Sequence, residues 1–368
     1  MSTSPDLQRE LDDPLVPRSI EVLKSGQAPS GAFIASPSFT VYRYAWLRDG
    51  AFCAHALDVV GERDAAAAWH AWVVRSIEAH REMIESATRR VRDGETPPPE
   101  TMPPARYTLD GNLEHPEDDD PWPNFQVDGY GMWLWSLESH LGAAGLPLEL
   151  VASVELVAAY LAATWQLKCF NCWEEFDGGE HASTLGAVSA GLASAGRLLG
   201  NERWQHAAGA VRDELLSRYV HAGRFKRGAG DARLDGSLLW LGVPFGVLDR
   251  SHALVEGTVE GVRNELTGRD GGVYRFRGDT YFGGGEWLLL TSSLAWHDAV
   301  AGNDEAAAAA QAWVRAQALQ NGDLPEQVTH DSQEPSMIEP WVRRWGAVAT
   351  PLLWSHAMYL IAEAARAR

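Results

Sequence analysis

Cysteine is scarce in this chain of 368 residues, and the three thiols, Cys53, Cys169 and Cys172, are too few for a disulfide framework. A reducing compartment is therefore expected. Basic charge is short as well: 31 Lys and Arg stand against 50 Asp and Glu, a formal net charge of −19. No local block of Lys or Arg offsets it. A phosphate-gripping surface needs a basic footprint, so nucleic acid and anionic membranes are poor partners for this sequence. Long apolar runs are also missing, with no stretch of eighteen apolar residues to span a bilayer. The opening MSTSPDLQRELDDPLVPRSIEVLK has neither a basic nor an apolar leader region. Residues 1–15 are expected to be a flexible segment and the protein to be cytoplasmic.

Tryptophan is abundant, with 16 residues. An indole offers a flat apolar face and one N–H donor, which suits stacking on sugar rings, although large apolar side chains are more often core. The dominant pattern is helical. Tyr130, Trp133, Leu134, Leu137 and Leu141 share one helix face, and Leu185, Val188, Leu192, Ala195 and Leu199 repeat the theme. Twelve helical segments are expected, at 17–25, 49–60, 62–92, 127–142, 147–165, 183–199, 202–219, 235–241, 252–265, 285–301, 304–320 and 350–366. Gly61, Gly142 and Gly200 stand at stop positions. Strand alternation is scarce, and the chain reads as all-α, a single domain over 1–368 with helices paired in a ring.

The unusual loops fall ahead of alternate helices. YRYAWLRDG precedes the second helix, WPNFQVDG the fourth, NCWEEFDGG the sixth and RFRGDTYFGGG the tenth, with LPEQVTHDSQEP before the twelfth. In a double ring of antiparallel helices, every second N-terminus points to one face, so these loops are expected to converge on one pocket. Neighbouring residues point in different directions, so Glu174 and Glu175 cannot oppose each other across a small substrate. A partner acid must come from another loop, and Glu326 beside Pro325 is the best candidate. Two carboxylates across an aromatic pocket are the equipment of glycoside hydrolysis, one donating a proton to the leaving oxygen and one attacking or activating water.

In their order and wording, these motifs resemble those of the inverting glucoamylase-type enzymes of glycoside hydrolase family 15, from GAFIASPSF at 32–40 to PLLWSHAMYLIAEA at 351–364. The resemblance implies an (α/α)6 barrel that releases β-glucose from the non-reducing end of short α-glucosides of the isomaltose or maltose type. It implies that Glu174 is the general acid, Glu326 the general base and Glu175 a contact to the sugar beyond the scissile bond. Tyr42, Trp46, Arg48 and Asp49 match residues around the terminal glucose and its water. Trp122, Trp173 and Trp354 match pocket walls, Arg275 a substrate-binding arginine, and Asp128 and Asp279 nearby acids. Glu174 is expected to be kept protonated by Trp173, Phe176 and Glu175, and Glu326 to stay ionised beside a tyrosine or arginine. An α,α-trehalase on the same scaffold is the enzymatic alternative, and a catalytically silent sugar-binding protein the non-enzymatic one. No cofactor and no metal are expected. Cys169-x-x-Cys172 lacks the second pair that zinc needs, FGGG at 282–285 lacks a dinucleotide-loop context, and the histidines show no His-Glu-x-x-His spacing. His181 and His356 read as hydrogen-bonded neighbours of the pocket, and the acidic run at 116–120 as a solvated loop.

Overall fold

Six times the chain passes from an outer helix to an inner one, as a computed structural model describing residues 13–114, 122, 124–175 and 179–368 makes plain. The passes run from α1 (Leu15–Ser25) to α2 (Leu47–Val59), and from α3 (Arg63–Ala79) and its neighbour α4 (Arg81–Arg92) to α5 (Asp128–Leu141). They continue from α6 (Leu148–Thr164) to α7 (Ala182–Leu199), and from α8 (Glu202–Arg218) to a 3₁₀ segment (Gly236–Leu241). The last two run from α9 (Ala253–Gly261) to α10 (Leu288–Ala301), and from α11 (Asp304–Ala316) to α13 (Leu353–Arg366), with α12 (Ile338–Trp345) in the final loop. Each inner segment packs on the next, and α13 closes back on α2, giving the expected (α/α)6 barrel.

Burial separates the two rings. Every residue of α10 from Leu288 to Asp298 is buried, as befits a helix that is apolar on all sides. On outer α11 only Ala307, Gln311, Trp313 and Val314 are buried, and the opposite face is wet. The inner helices approach closely where side chains vanish: a Cβ on Gly191 of α7 would stand 2.5 Å from the Gly131 Cα of α5. Among the described residues, strands are confined to two-residue pieces, of which β1 (Val273–Tyr274), β2 (Glu286–Trp287) and β3 (Gln327–Val328) form one small antiparallel sheet. Among the described residues, no helix is long and apolar enough to cross a membrane.

Several expected boundaries move. The segment 62–92 is two helices, broken at His80, whose Nε2 bonds the Gly111 carbonyl at 3.0 Å while its ring stacks on Tyr107. The segment 252–265 ends as α-helix at Gly261 and continues as a π turn over Val262–Leu266. The expected helix at 235–241 is a 3₁₀ segment, and α12 is an addition to the twelve. At the end of the segment 1–15, Asp13 accepts from Arg315 and Tyr359, and α1 starts at Leu15. Residues 1–12, the acidic run at 116–120 and Phe176 lie outside the described residues.

Candidate active site

All six inner segments enter the ring with their N-terminal ends on one face, and the loops leading into them surround a cavity of about 580 Å³. Eleven of the thirteen site residues expected from sequence line it: Tyr42, Trp46, Arg48, Asp49, Trp122, Trp173, Glu174, Glu175, Arg275, Glu326 and Trp354. Asp128 and Asp279 do not. Both are buried behind the wall, Asp128 3.2 Å from an Arg48 terminal nitrogen and Asp279 accepting from Arg275 Nε and NH2 at 2.7 and 2.6 Å. Each holds an arginine that faces the cavity.

Glu174 sits in a left-handed backbone conformation, φ 63°, which costs a glutamate on the order of 1–3 kcal/mol. Asn171 stabilises the bend. Its carbonyl accepts from the Glu174 N–H at 3.0 Å, and its side-chain oxygen accepts from Trp173 and Glu175 N–H at 3.0 and 3.3 Å. The bend drives the two neighbouring carboxylates apart. Oε1 of Glu174 accepts from Trp46 Nε1 at 2.6 Å, Gln126 Nε2 at 2.8 Å and Arg48 NH2 at 3.3 Å, and Oε2 accepts from Trp122 Nε1 at 2.7 Å. The expected neighbours of this acid differ from those found. The Trp173 indole donates to Asp235 at 3.0 Å, and the Glu175 carboxylate is turned to Arg275.

Glu326 lines the same cavity, just before β3. Its N–H donates to the Ala349 carbonyl at 2.9 Å, and the Ser355 hydroxyl donates to the Pro325 carbonyl at 2.9 Å. Buried His356 accepts from the Leu324 N–H at 2.9 Å, so it positions the turn from behind. The turn leads into a strand ladder, which sequence reasoning placed as a free-standing loop. Oε1 accepts from the Tyr42 hydroxyl at 3.0 Å, and Tyr42 is in turn 3.0 Å from the Tyr281 hydroxyl, while Oε2 has no hydrogen-bond partner among the described residues. Burial pushes the Glu326 carboxyl up to about 8, with the Tyr42 hydrogen bond and the Arg275 charge pulling it down. The two expected helpers, a tyrosine hydroxyl and an arginine charge, are both present, and burial outweighs them.

The remaining charges form two clusters. Arg48 bonds Gln126 at 2.6 Å and stands 3.6 Å from Asp49, whose carboxyl burial raises to about 7. Arg275 is 2% exposed, paired with Asp279 and Glu175, and enclosed by the rings of Trp173, Tyr281 and Trp287. Burial raises the Glu175 carboxyl against the pull of Arg275. Trp354 stacks on Phe52 with centroids 5.4 Å apart and leaves its edge to the cavity.

Sequence reasoning missed Gln126, Tyr281 and Asp235, the last of which holds Trp173 while capping the 3₁₀ segment through Ser237 N–H at 2.9 Å. It also missed Trp341, Arg344 and Trp345 on α12 at the rim. The spacing of Ile338, Trp341, Val342 and Trp345 carries a helical period that would have found them. Cys169 and Cys172 are buried free thiols that burial holds in the protonated form, and Cys172 lines the cavity.

A toroid of helix pairs with two carboxylates from separate loops across an indole-walled cavity defines a glycoside hydrolase. The profile of the Glycosyl hydrolases family 15 matches residues 14–364, and the chain belongs to that family. It is 40% identical over 355 residues to the isomaltose glucohydrolase of Kribbella flavida, covering 94% of this chain and 91% of that one. A solved wild-type glycosidase superposes with a TM-score of 0.92 at 38% identity, covering 100% and 99% of the two chains. A variant glycosidase in complex with glucose superposes with a TM-score of 0.91 at 38% identity over 98% of each chain. At 20% identity the likeness is one of fold: a bacterial glucoamylase complexed with acarbose gives a TM-score of 0.74 over 96% of this chain and 55% of that one.

Proposed function

We propose that this chain, acting as one catalytic domain, hydrolyses short α-glucosides of the isomaltose type from the non-reducing end, with inversion. Glu174 is the general acid and Glu326 the general base. The observation that carries the reading is the placement of these two carboxyls in one cavity, each held by a different wall: Trp46, Trp122, Gln126 and Arg48 for Glu174, Tyr42 for Glu326.

The hydrogen bonds divide the labour between oxygens. Three donors converge on Glu174 Oε1 and one on Oε2, so Oε2 is the atom that carries the proton to the glycosidic oxygen. On the other wall, Glu326 Oε1 is fixed by Tyr42, and the free Oε2 takes a proton from water. As the C–O bond to the leaving sugar breaks, that water attacks the anomeric carbon from the opposite side. The α linkage becomes a β hydroxyl, Glu174 ends ionised and Glu326 ends protonated. Inversion needs the two carboxyls ~6.5–9.5 Å apart to admit the water. Arg48 and Asp49 grip hydroxyls of the terminal glucose, and Glu175 with Arg275 meets the leaving sugar.

Glucose release from isomaltose, maltose and trehalose tests the reading. Fastest release from isomaltose is expected, given the name of the relative that shares 40% of this sequence. Preference for trehalose supports the trehalase alternative, and no release from any of them supports a silent sugar-binding protein.

A further inference from the structure

We propose that Asp58, His70 and His140 form a binding site for one divalent transition-metal ion of the zinc class, at the end of the barrel remote from the sugar cavity. A carboxylate oxygen of Asp58 and one ring nitrogen from each histidine all lie within 4.8 Å of one another. The three come from different helices: Asp58 from the last turn of inner α2, His70 from outer α3, His140 from the last turn of inner α5. Among the described residues this is the one cluster of three or more such side chains with that geometry.

The independent sign of a ligand is His70. It is 4% exposed, and neither of its ring nitrogens has a hydrogen-bond partner among the described residues. Buried polar groups are nearly always satisfied, so an imidazole with both nitrogens unpaired calls for a partner of another kind. Its ring faces that of His140 at 4.8 Å, with Trp69 at 4.9 Å on another side. His140 Nδ1 stands 2.9 and 3.0 Å from the two Asp58 oxygens, so carboxylate and imidazole are already directed at a common point.

Two imidazoles and one carboxylate are a donor set that zinc accepts at about 2.0–2.2 Å per bond, leaving one position for water or the second carboxylate oxygen. Donors around such an ion stand a little over 3 Å apart, so closing the site requires a shift on the order of 1 Å by His70. The negative ends of the α2 and α5 dipoles and the Asp58 charge favour a cation there. Arg63 is the opposing charge. Its NH1 lies 3.6 Å from Asp58 Oδ1 and its NH2 donates to the His140 carbonyl, but the side chain is 57% exposed and free to swing into solvent. Arg48 at the sugar cavity and Asp58 lie on the same helix about 15 Å apart, so the ion would tie one outer helix to two inner ones without touching the chemistry.

Tag-free protein stripped with a chelator and titrated with Zn²⁺ tests this. The expected result is saturable binding of one ion per chain, a rise in Tm, and shifts of two histidine ring-nitrogen NMR signals out of the 12 histidines. His70→Gln and Asp58→Asn should each weaken binding at least about tenfold while leaving disaccharide hydrolysis unchanged. Absence of saturable binding by the folded wild type, or full-strength binding by both variants, overturns the site. Should the variants not fold, the wild-type ring-nitrogen signals decide, and their failure to move on adding Zn²⁺ also overturns it.

Discussion

The two walls of the cavity treat their acids differently. On one, Glu174 meets four donors, one of them a guanidinium, and is held by a strained bend that Asn171 supports. On the other, Glu326 is 2% exposed with one donor, Tyr42, and burial pushes its carboxyl up to about 8. Like residues on one cavity thus stand in unlike surroundings, and Glu326 can act as a base only in the ionised form that burial disfavours. The Tyr42 hydroxyl and the Arg275 charge together set the proton affinity of Glu326 against desolvation.

Breaking either wall has the largest expected effect. Glu174→Gln and Glu326→Gln should each lower kcat on disaccharides about 10²–10⁴-fold with sugar binding retained. α-Glucosyl fluoride separates them, because fluoride leaves without protonation: Glu174→Gln should recover much of its rate on it and Glu326→Gln should not. Next in size is Arg275→Ala, which strands buried Asp279 without its cation. A loss of about 3–5 kcal/mol is expected from denaturant unfolding.

A third effect follows from proton binding. The Asp49 and Glu326 carboxyls, raised from 3.8 to about 7 and from 4.5 to about 8, bind protons more tightly in the folded chain than in the unfolded one. Their contribution to stability is present below about pH 4 and is lost as pH rises through 7 to 8. Denaturant midpoints should therefore fall between pH 5 and pH 8, and Glu326→Gln should flatten that fall. The smallest effect sharpens the contrast most. Tyr42→Phe removes the hydrogen bond that lowers Glu326, so the acidic limb of the kcat/KM profile should move to higher pH. The phenylalanine ring keeps the contacts that Tyr42 makes with Trp46 and Trp122 on the Glu174 wall.

Much of this contrast was legible in the sequence because loops of acidic and aromatic residues stood ahead of alternate helices. That spacing alone predicted convergence on one face, and the ring of inner segments bears it out. What was not legible depends on tertiary contacts. Nothing between Ser76 and Glu82 breaks a helix locally, and the bend at His80 is imposed by Gly111 and Tyr107. Pro340 does not break α12, because proline is tolerated in the first turn, where its missing N–H has no partner to lose. Gln126 and Tyr281 lay inside motifs already singled out, but which way each side chain points is decided by the wall opposite. The same holds for Glu175, whose neighbour in sequence is Glu174 and whose partner in space is Arg275.

The most direct measurement is the configuration of the glucose first released from isomaltose, followed by proton NMR before mutarotation. With Glu326 directing water to the face opposite the leaving sugar, β-glucose should appear first and α-glucose only as the anomers equilibrate. Initial release of α-glucose would contradict the account, because it would require a carboxylate bonded to the sugar where this one places a water.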